Sequence, residues 1–226
     1  MNRRTALTLG LSALALGGAA WLALPRPGAA PEALAPFGAA GAQTAEAALP
    51  EIADLVLGNP DAPVTLIEYA SFTCPHCATF HATTFKELKR DYIDTGRIRF
   101  VYREVFFDRP GLWAAMVARC AGPERYFGIA EMLYSQQREW AGSGDPLQVV
   151  AALKRIGRVA GLSDAELDAC LQDGARAQAM IAKFQADTAA DGINSTPSLV
   201  LNGVRHGNMA YEDLRRLIDA ELAAKG

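Results

Sequence analysis

The chain is poor in the residues that hold metals or bind nucleic acid. It has three histidines, His76, His81 and His206, and four cysteines in 226 residues. One Cys-x-x-Cys occurs, Cys74 to Cys77, with no second pair nearby. A structural zinc site asks for four ligands, so that supply is thin. Outside the N-terminus there is no basic run. Lys154, Arg155 and Arg158 lie on a helical pattern and read as a solvated face, so nucleic acid is not an expected partner. No internal repeat is present. Long uncharged apolar text is confined to the N-terminus.

What is present begins with that stretch. Asn2-Arg3-Arg4 is a short basic region, and Thr5 to Leu24 is uncharged and rich in Leu, Ala and Gly. Residues 1–24 read as a signal peptide or, if uncleaved, as a membrane anchor, because the run is long enough to span a bilayer. The paired arginines resemble a twin-arginine export signal. Residues 25–50 carry Pro25, Pro27, Pro31, Pro36 and Pro50 among Ala and Gly without periodicity, which suits a leader or linker. The expected address is the periplasm, where disulfides persist.

The rest, residues 51–226, suits one globular domain, given a chain that is 50% hydrophobic and 21% charged. Asp54 to Leu57 is a short strand candidate, and Val64 to Tyr69 is apolar at nearly every position, as in a strand covered on both faces. Glu68 is the anomaly in that run. A helix is expected from Ala78 to about Asp94, closed by Gly96, followed by a strand over Ile98–Arg103. A helix between two parallel strands is a βαβ unit. The text then turns helical from Leu112 to Asp191, and Gly122, Gly142, Gly144, Gly161 and Gly174 break it into about five pieces. Asp145-Pro146 and the capping box Ser163-Asp164-Ala165-Glu166 mark two helix starts. Ser198 to Leu201, the turn Asn202-Gly203 and Val204 to Asn208 read as a hairpin, and Tyr211 to Ala224 as an amphipathic closing helix. The fold class is α/β, with an all-helical block inserted at about 111–191.

Cys74 and Cys77 stand where the first strand of the βαβ unit gives way to its helix. Two thiols at that spacing, in the first turn of a helix, lie close enough to form a disulfide, and the helix N-terminus favours a thiolate. A zinc half-site and two unrelated buried thiols are the bland readings. The strand–Cys-x-x-Cys–helix context in an exported chain favours a redox dithiol. Cys74 is the expected exposed nucleophile and Cys77 the shielded resolving thiol. Pro75 fits the first helical turn at no hydrogen-bond cost, and His76 sets a potential cation beside the sulfur. Both influences lower the Cys74 pKa and make the disulfide oxidising.

Phe72-Thr73-Cys74-Pro75-His76-Cys77, together with Glu68 upstream and Thr196-Pro197 before the hairpin, resembles the DsbA-like thiol:disulfide oxidoreductases, which have a thioredoxin fold with a helical insertion. The resemblance covers residues 51–226. It implies that Pro197 is a cis-proline against the active-site disulfide and that Thr196 offers backbone groups to a substrate strand. It also implies that Glu68 is a buried acid beneath the site. Such a carboxyl can exchange protons with Cys77; the alternative is a plain ion pair with Arg99 or Arg103. Partners implied are reduced substrate proteins and a quinone-linked, DsbB-like membrane protein that restores the disulfide, with no bound cofactor.

Cys120 and Cys170 remain, both on predicted helices. Exported proteins seldom keep free thiols, so a structural disulfide is expected, with two buried free cysteines as the alternative. Closing a loop of about 50 residues stabilises by roughly 4 kcal/mol at most. Trp113, Trp140 and the pair Phe106-Phe107 read as packing residues. The expected activity is donation of the Cys74–Cys77 disulfide by a monomer. A reductase or isomerase is the neighbouring reading, although no dimerisation segment of the isomerase kind is present. A carrier of copper or zinc through Cys74, Cys77 and His81 is the reading from another class.

Overall fold

A computed structural model describes residues 48–225. The expected signal or anchor at 1–24, and the linker up to residue 47, lie outside the described residues. Among the described residues no helix is long and apolar enough to cross a membrane.

Strands β1 (Leu55–Gly58), β2 (Thr65–Ala70), β3 (Arg99–Glu104), β4 (Ser198–Leu201) and β5 (Val204–His206) form one sheet in the order β1-β3-β2-β4-β5. β2 and β3 run parallel, and the other neighbours are antiparallel. A parallel pair needs a crossover, supplied here by α1 (Pro75–Ala82) and α2 (Thr84–Leu88). Asn202 (φ 44°) and Gly203 (φ 86°) turn the β4–β5 hairpin with two left-handed residues, the geometry that matches strand twist. Helix α9 (Tyr211–Lys225) closes the chain. This is a thioredoxin fold.

The crossover is not the single helix that the sequence predicts. Thr83 breaks it with φ −121° and ψ −87°, and residues Lys89–Ile93 continue as a wider π-helical turn. The Thr79 and Thr83 hydroxyls donate to the carbonyls of Pro75 and Thr79, four residues back. Such back-bonding competes with the helix ladder and bends it.

Between β3 and β4 the chain forms α3 (Arg109–Cys120), α4 (Pro123–Ser135), α5 (Gln137–Ala141), α6 (Pro146–Val159), α7 (Asp164–Gln172) and α8 (Gly174–Ala190). Asp108, Asp145 and Ser163 cap α3, α6 and α7 with side-chain oxygens, satisfying amides that would otherwise lack partners. Gly157 sits where α6 meets α7; a Cβ there would lie 2.5 Å from Leu167 Cδ2. Trp140 is buried, its indole N–H donating to the Leu133 carbonyl. Phe106 packs edge-on against Phe184. Phe107 departs from the packing expectation: it is 59% exposed, because it follows the end of β3 and precedes the α3 cap.

Successive strand residues point to opposite faces. Leu66, Ala70, Phe100 and Tyr102 join the main core with the helices. The other face carries Tyr69, Val105 and Val200, with Phe184 of α8 against them. α8 is also tied there by charge. Arg103 pairs with Asp54, Asp187 and Asp191 and donates to the Tyr69 hydroxyl, while Lys183 bridges Asp54 and Asp187.

Candidate active site

β2 delivers the chain to Ser71, and the next residues turn into α1. Cys74 is the N-cap of α1, with extended backbone (φ −81°, ψ 118°), and Pro75 follows in the first turn. Cys74 N–H donates to the Ser71 carbonyl at 3.1 Å. The turn is held from outside by Gln137 of α5. Its Nε2 donates to the carbonyls of Phe72 at 2.8 Å and Cys74 at 2.9 Å. Sequence reasoning missed Gln137, since no local motif marks a glutamine that acts across 63 residues.

Cys74 and Cys77 are free thiols, the first partly exposed and the second buried. From the other side of the site comes the Thr196–Pro197 step, whose peptide bond is cis. The Thr196 carbonyl oxygen lies 3.4 Å from Cys74 Sγ. Thr196 Oγ1 is buried and has no hydrogen-bond partner among the described residues.

The two thiols differ sharply. Cys74 is lowered from an ordinary value near 9 to about 5. The hydrogen bond from the Cys77 thiol is the largest cause; burial opposes it, and the N–H groups of Cys77 and His76 add to it. Cys77 is pushed the other way, first by burial, then by its bond to Cys74 and by the charge of Glu68. His76 thus contributes its backbone N–H; its imidazole is exposed and makes no hydrogen bond among the described residues.

Glu68 is wholly buried. Neither Arg99 nor Arg103 is its partner. The register sets Arg103 opposite Tyr69 and Glu68 opposite Tyr102, so Arg103 lies on the far face of the sheet. The partner is His81 of α1, whose Nε2 lies 3.1 Å from both carboxylate oxygens. Among the described residues no three His, Cys, Asp or Glu side chains gather to hold an ion. Tyr102 and Tyr134 share a 2.6 Å hydrogen bond in the same buried layer.

In the helical block, Cys120 of α3 and Cys170 of α7 are joined by a disulfide.

A family model described as Thioredoxin matches residues 51–220. A putative protein-disulfide oxidoreductase of Rickettsia bellii is 36% identical over 167 residues, which is 74% of this chain and 63% of the relative. The chain therefore spans less than two thirds of that relative's length. Disulfide bond formation protein D of Bacillus subtilis is 25% identical over 182 residues, 75% of this chain and 78% of the relative. Among solved structures, alpha-DsbA1 of Wolbachia pipientis superposes with a TM-score of 0.71 at 29% identity, covering 78% of this chain and 94% of that one.

Proposed function

The chain belongs to the thioredoxin family, and within it to the DsbA-like proteins; from that premise we propose that it is a protein thiol:disulfide oxidoreductase that works as an oxidase outside the cytoplasm. The observation that carries the reading is the opposed bias of the two thiols, Cys74 lowered to about 5 and Cys77 raised. A stable Cys74 thiolate favours the reduced state and leaves readily, so the Cys74–Cys77 disulfide is an oxidant.

The reaction begins when a thiolate of a reduced substrate protein attacks Cys74 Sγ. The Cys74–Cys77 bond breaks, a mixed disulfide forms at Cys74, and Cys77 leaves as a thiolate that takes up a proton. The substrate's second thiolate then attacks the substrate sulfur of the mixed disulfide. That forms the substrate's own bridge and releases Cys74 as a thiolate. Two electrons have passed to the enzyme. Thr196 and Pro197 form the wall against which the substrate strand lies, and Glu68 exchanges the proton of Cys77. A quinone-linked, DsbB-like membrane protein takes the electrons back. The N-terminal run Thr5–Leu24 supports export to the periplasm.

The deciding experiment equilibrates the protein with glutathione and measures its reduction potential, alongside oxidation of a reduced two-cysteine peptide. A potential nearer about −120 mV than about −270 mV supports the oxidase reading. A thioredoxin-like value without peptide oxidation overturns it.

A further inference from the structure

Each turnover gives Cys77 one proton and later removes it. Cys77 is buried, and a substrate or reoxidation partner bound at Cys74 covers the mouth of the site while the proton must move. A second opening exists. Between α1–α2 and α4 lies a groove of about 570 Å³ whose walls include Ala78, His81, Phe85, Gly128 and Tyr134. None of Cys74, Pro75, Thr196 or Pro197 lines it.

His81 joins the two compartments. Its Nε2 faces the buried Glu68 carboxylate, and no described residue bonds its Nδ1. Its ring is flanked by Tyr134, stacked at 4.3 Å, and by Phe85 at 4.5 Å. These neighbours fix its plane and leave the groove as the solvent side. Imidazole has two ring nitrogens and changes charge near neutral pH, so it can take a proton on one side and give one on the other; a guanidinium partner, always charged, cannot do this. We propose that His81 is the positioning residue through which buried Glu68 exchanges the Cys77 proton with water in this groove. The inference rests on the thiol:disulfide chemistry proposed above.

The step balances. In the reduced protein His81 is an imidazolium paired with the Glu68 carboxylate. When Cys77 closes the disulfide by attacking Cys74 of a mixed disulfide, the partner's sulfur leaves as a thiolate. The Cys77 proton goes to Glu68, and His81 gives its Nδ1 proton to groove water. Opening reverses both transfers.

The other titratable groups around His81 do not supply this path. Tyr102 of β3 and Tyr134 of α4 are pushed far above their ordinary values by burial, so both phenols stay protonated. Glu131 of α4 pairs with Lys86 of α2 at 3.9 Å, both well exposed. Lys89 holds Asp94, and Arg90 holds Asp91. These pairs shape the groove's field without touching Glu68.

Two measurements test the inference, and both open and close the disulfide with dithiothreitol and oxidised glutathione so that no client protein is needed. Nitrogen-15 NMR of His81 should report an imidazolium in the reduced protein and a neutral ring in the oxidised protein at the same pH. An unchanged protonation state overturns the proposal. Stopped-flow closure should slow about tenfold or more in His81→Gln and lose its dependence on buffer concentration, while His81→Ala should be restored by added imidazole. Should the His81 variants fail to fold, Gly128→Met, at a groove-lining position where an added Cβ meets nothing within 4 Å, narrows the groove with His81 intact and should weaken the buffer dependence. A wild-type rate with unchanged buffer dependence in His81→Gln, or unchanged buffer dependence in Gly128→Met where the His81 variants do not fold, overturns the proposal alone. A thioredoxin-like potential without peptide oxidation sinks the oxidase reading and leaves these outcomes to be judged on their own.

Discussion

Cys74 Sγ lies 3.4 Å from the carbonyl oxygen of Thr196, across 122 residues of sequence. A thiol can donate to that carbonyl. A thiolate cannot, and it draws instead on the Cys77 thiol and on the N–H groups of His76 and Cys77. Deprotonation therefore frees the Thr196 carbonyl at the moment the sulfur becomes reactive.

Titrating the thiolate ultraviolet absorbance of the reduced protein should give a midpoint at about 5 for Cys74. The sign for stability follows. The folded value lies below the unfolded one, so the thiolate's contribution is complete above the unfolded value and is lost as pH falls through about 5. Urea denaturation of the reduced protein against Cys74→Ala should show the gap between them narrowing as pH falls from 9 to 4. A constant gap would contradict the assignment.

Gln137→Leu should remove the clamp on the active-site turn. Cys74 keeps its helix bond from Ala78, but Phe72 loses its donor in a buried place. A loss of about 1–3 kcal/mol is expected from the unsatisfied carbonyl. The Cys74 midpoint should also rise, because the N–H groups that face the sulfur are held less firmly. Denaturation and the thiolate titration read the two effects separately.

Replacing both Cys120 and Cys170 by Ala should destabilise the protein by about 2–4 kcal/mol, since the bridge closes 50 residues of chain. Peptide oxidation by the folded variant should stay near wild type. A large loss of activity at full folding would place the bridge in the redox path and overturn a purely structural role.

Arg103→Met leaves three partly buried carboxylates, Asp54, Asp187 and Asp191, with Lys183 as the cation paired to Asp54 and Asp187. Destabilisation of about 2–4 kcal/mol is expected. Burial raises the Asp54 carboxyl, but Arg103 and Lys183 outweigh it and hold it low. That contribution is present above the unfolded value and fades as pH falls through the folded one. The difference between wild type and variant should therefore shrink below about pH 4.

Some of this was legible because the signals are local. A strand, a Cys-x-x-Cys and a helix follow one another in Val64 to Ala82, and Asn202-Gly203 carries its own turn chemistry. Glycines 122, 144 and 161 do lie between helices with positive φ. The break at Thr83 was not legible, because it comes from hydroxyls competing for carbonyls with no glycine or proline to mark it. The same holds at Gln136, where α4 and α5 part without a glycine. Strand alternation alone relates no residue of β2 to one of β3; the register that sets Glu68 and Arg103 on opposite faces, and so removes the arginine alternative, is fixed only by the packed sheet. The Glu68–His81 and Gln137–Cys74 contacts join distant elements, and only the packed fold reveals them.

The bridge between α3 and α7 is a product of the same kind of chemistry proposed for this chain. Four cysteines allow three pairings, and one alone leaves Cys74 facing Cys77 while Cys120 meets Cys170. Maturation thus requires the right thiols to meet. On the activity proposed above, an oxidised copy is a competent donor for the bridge of a newly made one.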